Sequence, residues 1–433
     1  MNYQEALAYL DGISAFGSSY GLKTTAELMR RLGNIQDNMR FVHIAGTNGK
    51  GSVVSYTANV LEYCGYTVGT FTSPALVSFR ERIQVNGEYI SKEDTAHHLS
   101  RLKIIAEEMQ KDGFQHPTYF ELSLALALLY YAQKKCQIVI LEVGLGGRLD
   151  ATNIVNPLIC GIVSISLDHT QLLGDTLAAI AQEKGGIIKE NVPLVCAPQK
   201  EEAAEVLKKI CLEKHAPFTM ISRENIQLHE ASRRGQIFSC KSRDNYFPQL
   251  KINLLGVHQL DNAAVALEIL LNLRSFGFVI GHYDIYRGFA NTRWAGRFEL
   301  IGENPDFIID GAHNPDAALR LKKALEDYYP YVRKIFVLSI LADKDYEEIL
   351  RLCAPLAEVI LATTTDNPRA LSTEDLTASV KKYNKNVIPC ADLAQAVAKA
   401  QELAHQKDLI VAFGSLTHLG EVRHLLTHLP KED

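Results

Sequence analysis

The sequence predicts an α/β protein with two parallel-sheet units, the first carrying a small antiparallel extension and the second Rossmann-like. Three observations predict it. Short continuous apolar runs alternate with stretches of helical length, the pattern of a mainly parallel sheet covered on both faces. The first strong run leads through Gly-Thr-Asn-Gly-Lys-Gly-Ser (46–52) straight into a helical pattern. The alternation breaks down over residues 218–257 and starts afresh near Phe298.

In chain order, strands are expected at Phe41–Ala45, Thr67–Phe71, Ile138–Val143, Ile159–Ile165 and Pro193–Ala197. Helices between them include Lys50–Cys64, Tyr119–Lys134 and Thr176–Lys189. Short β-like pieces at Phe218–Ile221, Gln236–Ser239 and Leu250–Leu255 stand among polar turns and read as the antiparallel extension. His258 to Phe276 reads as a helix. The second series has strands at Phe307–Asp310, Lys334–Ser339, Val359–Ala362 and Leu409–Phe413, with helices at Asp316–Tyr328, Ser372–Tyr383 and Asp392–Gln406. Thr-Arg-Trp-Ala-Gly-Arg (292–297) interrupts both patterns, so domains of 1–295 and 296–433 are expected. A phosphate loop in the first of two such domains places a site in the cleft between them.

At 433 residues the chain exceeds one ordinary core. Its 47% apolar and 22% charged residues fit a soluble globular protein. A net charge of −5 argues against a nucleic-acid partner held through phosphates. The eight cysteines are scattered without a Cys-x-x-Cys pair, which fits free thiols in a reducing cytoplasm. Met1 to Leu10 lacks a basic leader and reads as no signal peptide. The longest apolar run, Leu122 to Leu129, is too short to span a bilayer, so no membrane partner is expected.

Strand, glycine-rich turn and helix present backbone N–H groups and a helix N-terminus to phosphate. Gly46, Gly49 and Gly51 have no Cβ to hold a phosphate off, Lys50 supplies charge, and Thr47 or Ser52 a hydroxyl for Mg²⁺. The spacing is not the common P-loop: two residues separate Gly46 from Gly49-Lys50, where that motif has four. Glu142 ends an apolar strand before Val-Gly-Leu-Gly-Gly-Arg and suits Mg²⁺ beside a phosphate loop. A lone histidine is usually structural; its strand-end position makes His169 a candidate ligand. Lys184 reads, by composition, as a surface lysine. Ser73 opens an irregular stretch to Gly87 with Phe79, Arg80 and Arg82, a loop suited to a flat anionic substrate. Asn262, Arg297 and the Ile-Asp-Gly-Ala-His-Asn-Pro string (309–315) are further polar candidates.

Together these segments resemble the folylpolyglutamate synthase/dihydrofolate synthase family of the Mur ligase superfamily, over nearly the whole chain. The strings are HIAGTNGKGS (43–52), FTSPALVSFRERIQVNG (71–87), LEVGLGGRLDATN (141–153), LDHTQLLGDT (167–176), EKGGIIK (183–189), HQLDNA (258–263), WAGRFE (294–299) and IDGAHNP (309–315). The resemblance implies an ATP-dependent ligase that adds L-glutamate to reduced folates, and to dihydropteroate, through an acyl phosphate. ATP is then a substrate, Mg²⁺ a cofactor, and a monovalent cation such as K⁺ an option. It implies a cytoplasmic monomer. It places Asn48, Gly49, Lys50, Gly51, Ser52, Asn262, Arg297, Asp310 and His313 around ATP. Ser73, Glu142, His169 and Lys184 match Mg²⁺ ligands, with Lys184 carbamoylated, which reverses its surface reading. Lys50, Glu142, His169 and Lys184 become the catalytic set. Phe79, Arg82, Leu149, Asp150 and Ala151 fall near the pterin or pteroate. Two positions depart from the family: Ala75 follows Ser-Pro where His is frequent, and Ala295 stands where Pro is frequent.

Two other readings compete. A UDP-MurNAc-peptide ligase shares the reaction type, but the Thr-Ser-Pro loop and the Glu-Arg-Ile string favour folate. A non-catalytic nucleotide-binding regulator would use the loop alone; Asn-Lys-x-Asp is absent, since Asn384-Lys385 runs on to Asn386-Val387.

Overall fold

The first run of apolar strands forms one sheet of eight: β1 (Phe41–Ala45), β2 (Val68–Phe71), β3 (Ile83–Val85), β4 (Glu88–Tyr89), β5 (Ile138–Glu142), β6 (Ile159–Ile162), β7 (Leu194–Cys196) and β8 (Phe218–Met220). A computed structural model describes residues 1–14, 21–243 and 245–427. The order is β4-β3-β2-β5-β1-β6-β7-β8, parallel from β2 to β8 and antiparallel at the β3–β4 edge. Strands β1, β2, β5, β6 and β7 are buried at every residue, which is why they read as unbroken apolar runs. The chain leaves β1 toward β2 on one side and later returns to β6 on the other. The loops after β1 and β5 therefore splay apart at adjacent carboxyl ends, where open α/β sheets bind ligands.

Both faces are covered. Helices Lys50–Tyr63 and His258–Leu273 pack over one face with the small sheet; Tyr3–Ser14, Lys92–Lys111 and Tyr119–Gln133 cover part of the other. Helix Tyr119–Gln133 begins in a reciprocal cap: the Thr118 hydroxyl accepts from Glu121 N, while Glu121 accepts from Thr118 N.

Strands β9 (Ile226–Ser232), β10 (Gly235–Ser242) and β11 (Asn245–Ile252) form the antiparallel extension. The second sheet runs β12-β13-β17-β14-β15-β16, with β12 (Glu299–Gly302), β13 (Asp306–Asp310), β14 (Lys334–Leu338), β15 (Val359–Ala362), β16 (Val387–Pro389) and β17 (Leu409–Phe413). It is parallel except for the edge strand β12. Asn314 caps helix Pro315–Tyr328, its side chain accepting from Ala317 N, with Pro315 at the first helical position.

Two expectations are corrected. Phe218–Ile221 does not belong to the antiparallel extension: β8 pairs in parallel with β7 at the edge of the main sheet. The extension's first strand is instead Ile226–Ser232, whose exposed residues give no apolar run to read. The stretch after Ser73 is not irregular to Gly87, because Phe79–Arg82 forms a 3₁₀ turn capped by Ser78 and feeds the β3–β4 hairpin. All eight cysteines are free. Among the described residues no helix is long and apolar enough to cross a membrane.

Candidate active site

Gly46 follows β1 at φ 142° and Gly49 precedes the helix at φ 103°, conformations that a side chain resists. The glycines are fixed by packing as well. A Cβ on Gly46 would lie 2.1 Å from Val163, one on Gly49 2.5 Å from Asn262, and one on Gly51 2.6 Å from the Trp294 ring. The loop is thus pressed into its shape from behind, with its open side toward a cavity of about 670 Å³.

Two lysines converge on one carbonyl there. Lys50 Nζ donates to Gly46 O at 3.2 Å and to Thr47 O at 3.2 Å. Lys184 Nζ, on helix Leu177–Gly185, donates to the same Gly46 O at 2.9 Å. Lys184 is 4% exposed, so the surface reading fails. Burial, and then the neighbouring Lys50 charge, pull its amine down to about 7. Glu142 at the end of β5 lies 3.9 Å from Lys50 Nζ and accepts from Ser73 N at 3.2 Å. Burial raises its pKa, against the lowering pull of Lys50.

The second domain supplies the facing wall. Asp310, at the end of β13, accepts from Phe298 N at 2.8 Å and Ala312 N at 2.9 Å. Burial raises its carboxyl pKa while Arg297 opposes the rise. A Cβ on Gly311 would lie 2.3 Å from Arg297 Nη1, so the absence of a side chain there makes room for the guanidinium. His313 donates through Nδ1 to Gly311 O at 2.8 Å, which turns Nε2 toward Asp168, 3.5 Å away.

The walls also touch directly. Asn48 of the phosphate loop donates to Asn314 at 3.1 Å and to Asp316 at 2.8 Å. Asn314 donates to Asp168 at 2.9 Å, and Lys344 Nζ reaches the other Asp168 oxygen at 2.7 Å. Burial would raise the Asp168 carboxyl pKa; His313, Lys344 and His169 outweigh it and hold it well below its ordinary value. His169, in the left-handed region at φ 51°, sits 3.4 Å from Lys344 Nζ. Burial, with Lys344 and His313 nearby, lowers it to about 4, so it is neutral near pH 7 and able to bind a cation.

The profile of the Mur ligase middle domain matches residues 44–270, and that of the Mur ligase glutamate ligase domain matches residues 296–416. A Bacillus subtilis dihydrofolate synthase/folylpolyglutamate synthase is 35% identical over 428 residues, covering 98% of this chain and 99% of that protein. The chain belongs to this family of Mur ligases. Among solved structures, Thermotoga maritima folylpolyglutamate synthase superposes with a TM-score of 0.85 at 37% identity, over 98% of this chain and 96% of that one. Mycobacterium tuberculosis folylpolyglutamate synthase, complexed with ADP and AMPPCP, gives 0.89 at 29% identity over 98% and 100%. Escherichia coli FolC in complex with DHPP and ADP gives 0.86 at 29% identity over 98% and 97%.

As a member of this family, the chain gathers nearly all its sequence-predicted residues into the one cavity. Asn48, Gly49, Lys50, Gly51, Ser52, Ser73, Arg82, Glu142, Leu149, Asp150, Ala151, His169, Lys184, Arg297, Asp310 and His313 all line it. Two do not. Asn262 is buried behind the loop, donating to Gln259 at 3.0 Å and filling the space a Gly49 side chain would need. Phe79 is buried edge-on against Tyr119, over whose ring Arg82 lies at 5.6 Å. Among the described residues no three His, Cys, Asp or Glu side chains converge on a metal position. Reasoning from sequence missed Lys344, Asp316 and Arg320, which complete the clasp; Arg320 donates to Ser164 at 2.9 Å. The signal for Lys344 was its place in Ala342-Asp343-Lys344-Asp345, just beyond β14's carboxyl end.

Proposed function

We propose that this chain is an ATP-dependent ligase that joins L-glutamate to reduced folates and to dihydropteroate. The carrying observation is the cavity itself: Lys50 and the buried Glu142 on one wall face Arg297, Asp310 and His313 on the other. The relatives' names and the nucleotide- and DHPP-bound neighbours support the same reading.

A free carboxylate is a poor electrophile. In the proposed reaction it attacks the γ-phosphate of ATP, giving an acyl phosphate and ADP, and the glutamate amine then displaces phosphate. Lys50 and Arg297 offset charge on the transferring phosphoryl group from opposite sides. Arg82, Leu149, Asp150 and Ala151 line the cavity, and to them we assign the pterin-bearing acceptor. Closure of the walls excludes water from the acyl phosphate.

The donor types assigned to Mg²⁺ suit a hard cation bound together with ATP phosphates. Ser73, Glu142 and His169 would offer it a hydroxyl, a carboxylate and a neutral imidazole, and Lys184 would add a carbamate. The ion would neutralise phosphate charge. Carbamoylation needs a neutral amine, and the buried Lys184 amine, drawn down to about 7, provides one. Labelled bicarbonate should give a carbamate carbon signal that Lys184→Ala abolishes; a signal unchanged in the variant would remove the assignment.

Glutamate-dependent ADP release tests the function. With ATP, Mg²⁺ and either dihydropteroate or tetrahydrofolate, release should require both glutamate and the acceptor. Turnover with a UDP-MurNAc-peptide instead, or ADP release indifferent to glutamate, would overturn the reading.

A further inference from the structure

His43 lies in mid-β1, three residues before the phosphate loop, and is fully buried. No step of the reaction above uses it. Its Nε2 is 2.8 Å from the Thr152 hydroxyl, and its Nδ1 has no hydrogen-bond partner among the described residues. Burial, and then the nearby Lys189 charge, lower it to about 3, so the ring is neutral.

The Thr152 hydroxyl donates to Asp150 Oδ1. A hydroxyl has one proton to give. With that proton committed to the carboxylate, His43 must be the donor to Thr152, through Nε2–H. This leaves Nδ1 as the bare, unpartnered nitrogen. Asp150 also accepts from Thr152 N at 3.0 Å and from Leu145 N at 2.9 Å. These donors hold the carboxylate in one orientation although it is buried at the cavity wall.

The chain of hydrogen bonds runs from the strand that carries the phosphate loop to the loop at the acceptor end of the cavity. Without His43 as donor, the Thr152 hydroxyl loses its partner on that side, and its own bond to Asp150 Oδ1 is held less firmly. We propose that His43 is a positioning residue for the acceptor: through Thr152 it fixes the Asp150 carboxylate that lines the acceptor end. This rests on the function proposed above. It concerns acceptor affinity and leaves ATP binding aside, because Lys50 and the Gly46 carbonyl do not depend on the His43 ring.

The test compares His43→Leu with His43→Gln, and Thr152→Val with Thr152→Ser, in the full chain. Dihydropteroate and tetrahydrofolate serve as acceptors. Loss of a buried hydrogen bond, His43–Thr152 in the Leu variant and Thr152–Asp150 in the Val variant, should raise the acceptor KM about tenfold. The ATP KM should stay within about twofold of the parent. Gln and Ser, which keep a donor and a hydroxyl in place, should recover most of the acceptor affinity. Equal rises in both KM values, a Gln variant as impaired as Leu, or no change in acceptor KM would each overturn the inference. If His43→Leu does not fold, His43→Asn, too short to reach the Thr152 hydroxyl, takes its place against His43→Gln, and an acceptor KM equal to the parent's would overturn the inference. A parent enzyme without acceptor-dependent turnover refutes the proposed function itself, whereas normal parent turnover with unaffected variants refutes only the role of His43.

Discussion

The two walls of the cleft are built on different principles. The phosphate-loop wall is shaped by packing: Val163, Asn262 and Trp294 occupy the space that side chains on Gly46, Gly49 and Gly51 would need. The second-domain wall is shaped by polar contacts. Asp310 is held by two backbone N–H groups, His313 by Gly311 O, and Asn314 by both Asn48 and Asp168. A wall fixed by packing is pre-formed before any ligand arrives. Of the second wall's bonds, those of Asn314 to Asn48 and Asp168 cross the cleft and can be exchanged for ligand contacts. The difference suits a nucleotide that docks on the first wall and is completed by the second.

The largest expected effect is at the charge on the first wall. Lys50→Ala should lower turnover by roughly 10²–10³ while the fold persists, since one strong contact to the transferring phosphoryl is removed. Circular dichroism and steady-state kinetics check this together. Near-normal turnover in a folded variant would show that the first wall does not carry the phosphate.

Arg297→Ala probes the second wall and should cost on the order of 10² in rate. Full activity would break the comparison, leaving the second domain as mere support. Its sharper form is small-angle scattering, in which an ATP analogue with a folate should bring the domains closer in the parent and less so in the variant.

Gly49→Ala should act on stability first. It combines a positive φ with a Cβ 2.5 Å from Asn262, and overpacking of this kind costs about 1–3 kcal/mol. Thermal unfolding should show a lower Tm, partly restored when Asn262→Ala opens space behind the loop. No change in Tm would mean that the loop yields easily and is not fixed by packing.

The same contrast explains what the sequence disclosed. Strands such as Phe41–Ala45 and Leu409–Phe413 are buried on both faces, so their apolar runs mark them with matching boundaries. The phosphate loop announces itself because its glycines, lysine and hydroxyls are contiguous. Features set by distant pairing stayed hidden. β8 looks like β10 locally, and only its partner β7 tells the two apart. Lys184 sits in a helix of ordinary composition, and its burial depends on the approach of Gly46, 138 positions away. Asn262 and Phe79 lie within family strings, yet they work behind the cavity wall. Lys344 meets Asp168 across 176 positions, a separation over which no local pattern is informative.

The most direct test of the central claim follows one oxygen atom. If the acceptor carboxylate attacks the γ-phosphate, the oxygen that forms the new P–O bond leaves with phosphate when the glutamate amine breaks the C–O bond. An acceptor labelled with ¹⁸O in that carboxylate, turned over with ATP and glutamate, should deliver one labelled oxygen into each inorganic phosphate released. Phosphate free of label, with amide product still formed, would contradict the acyl phosphate and the reading of the cleft built on it.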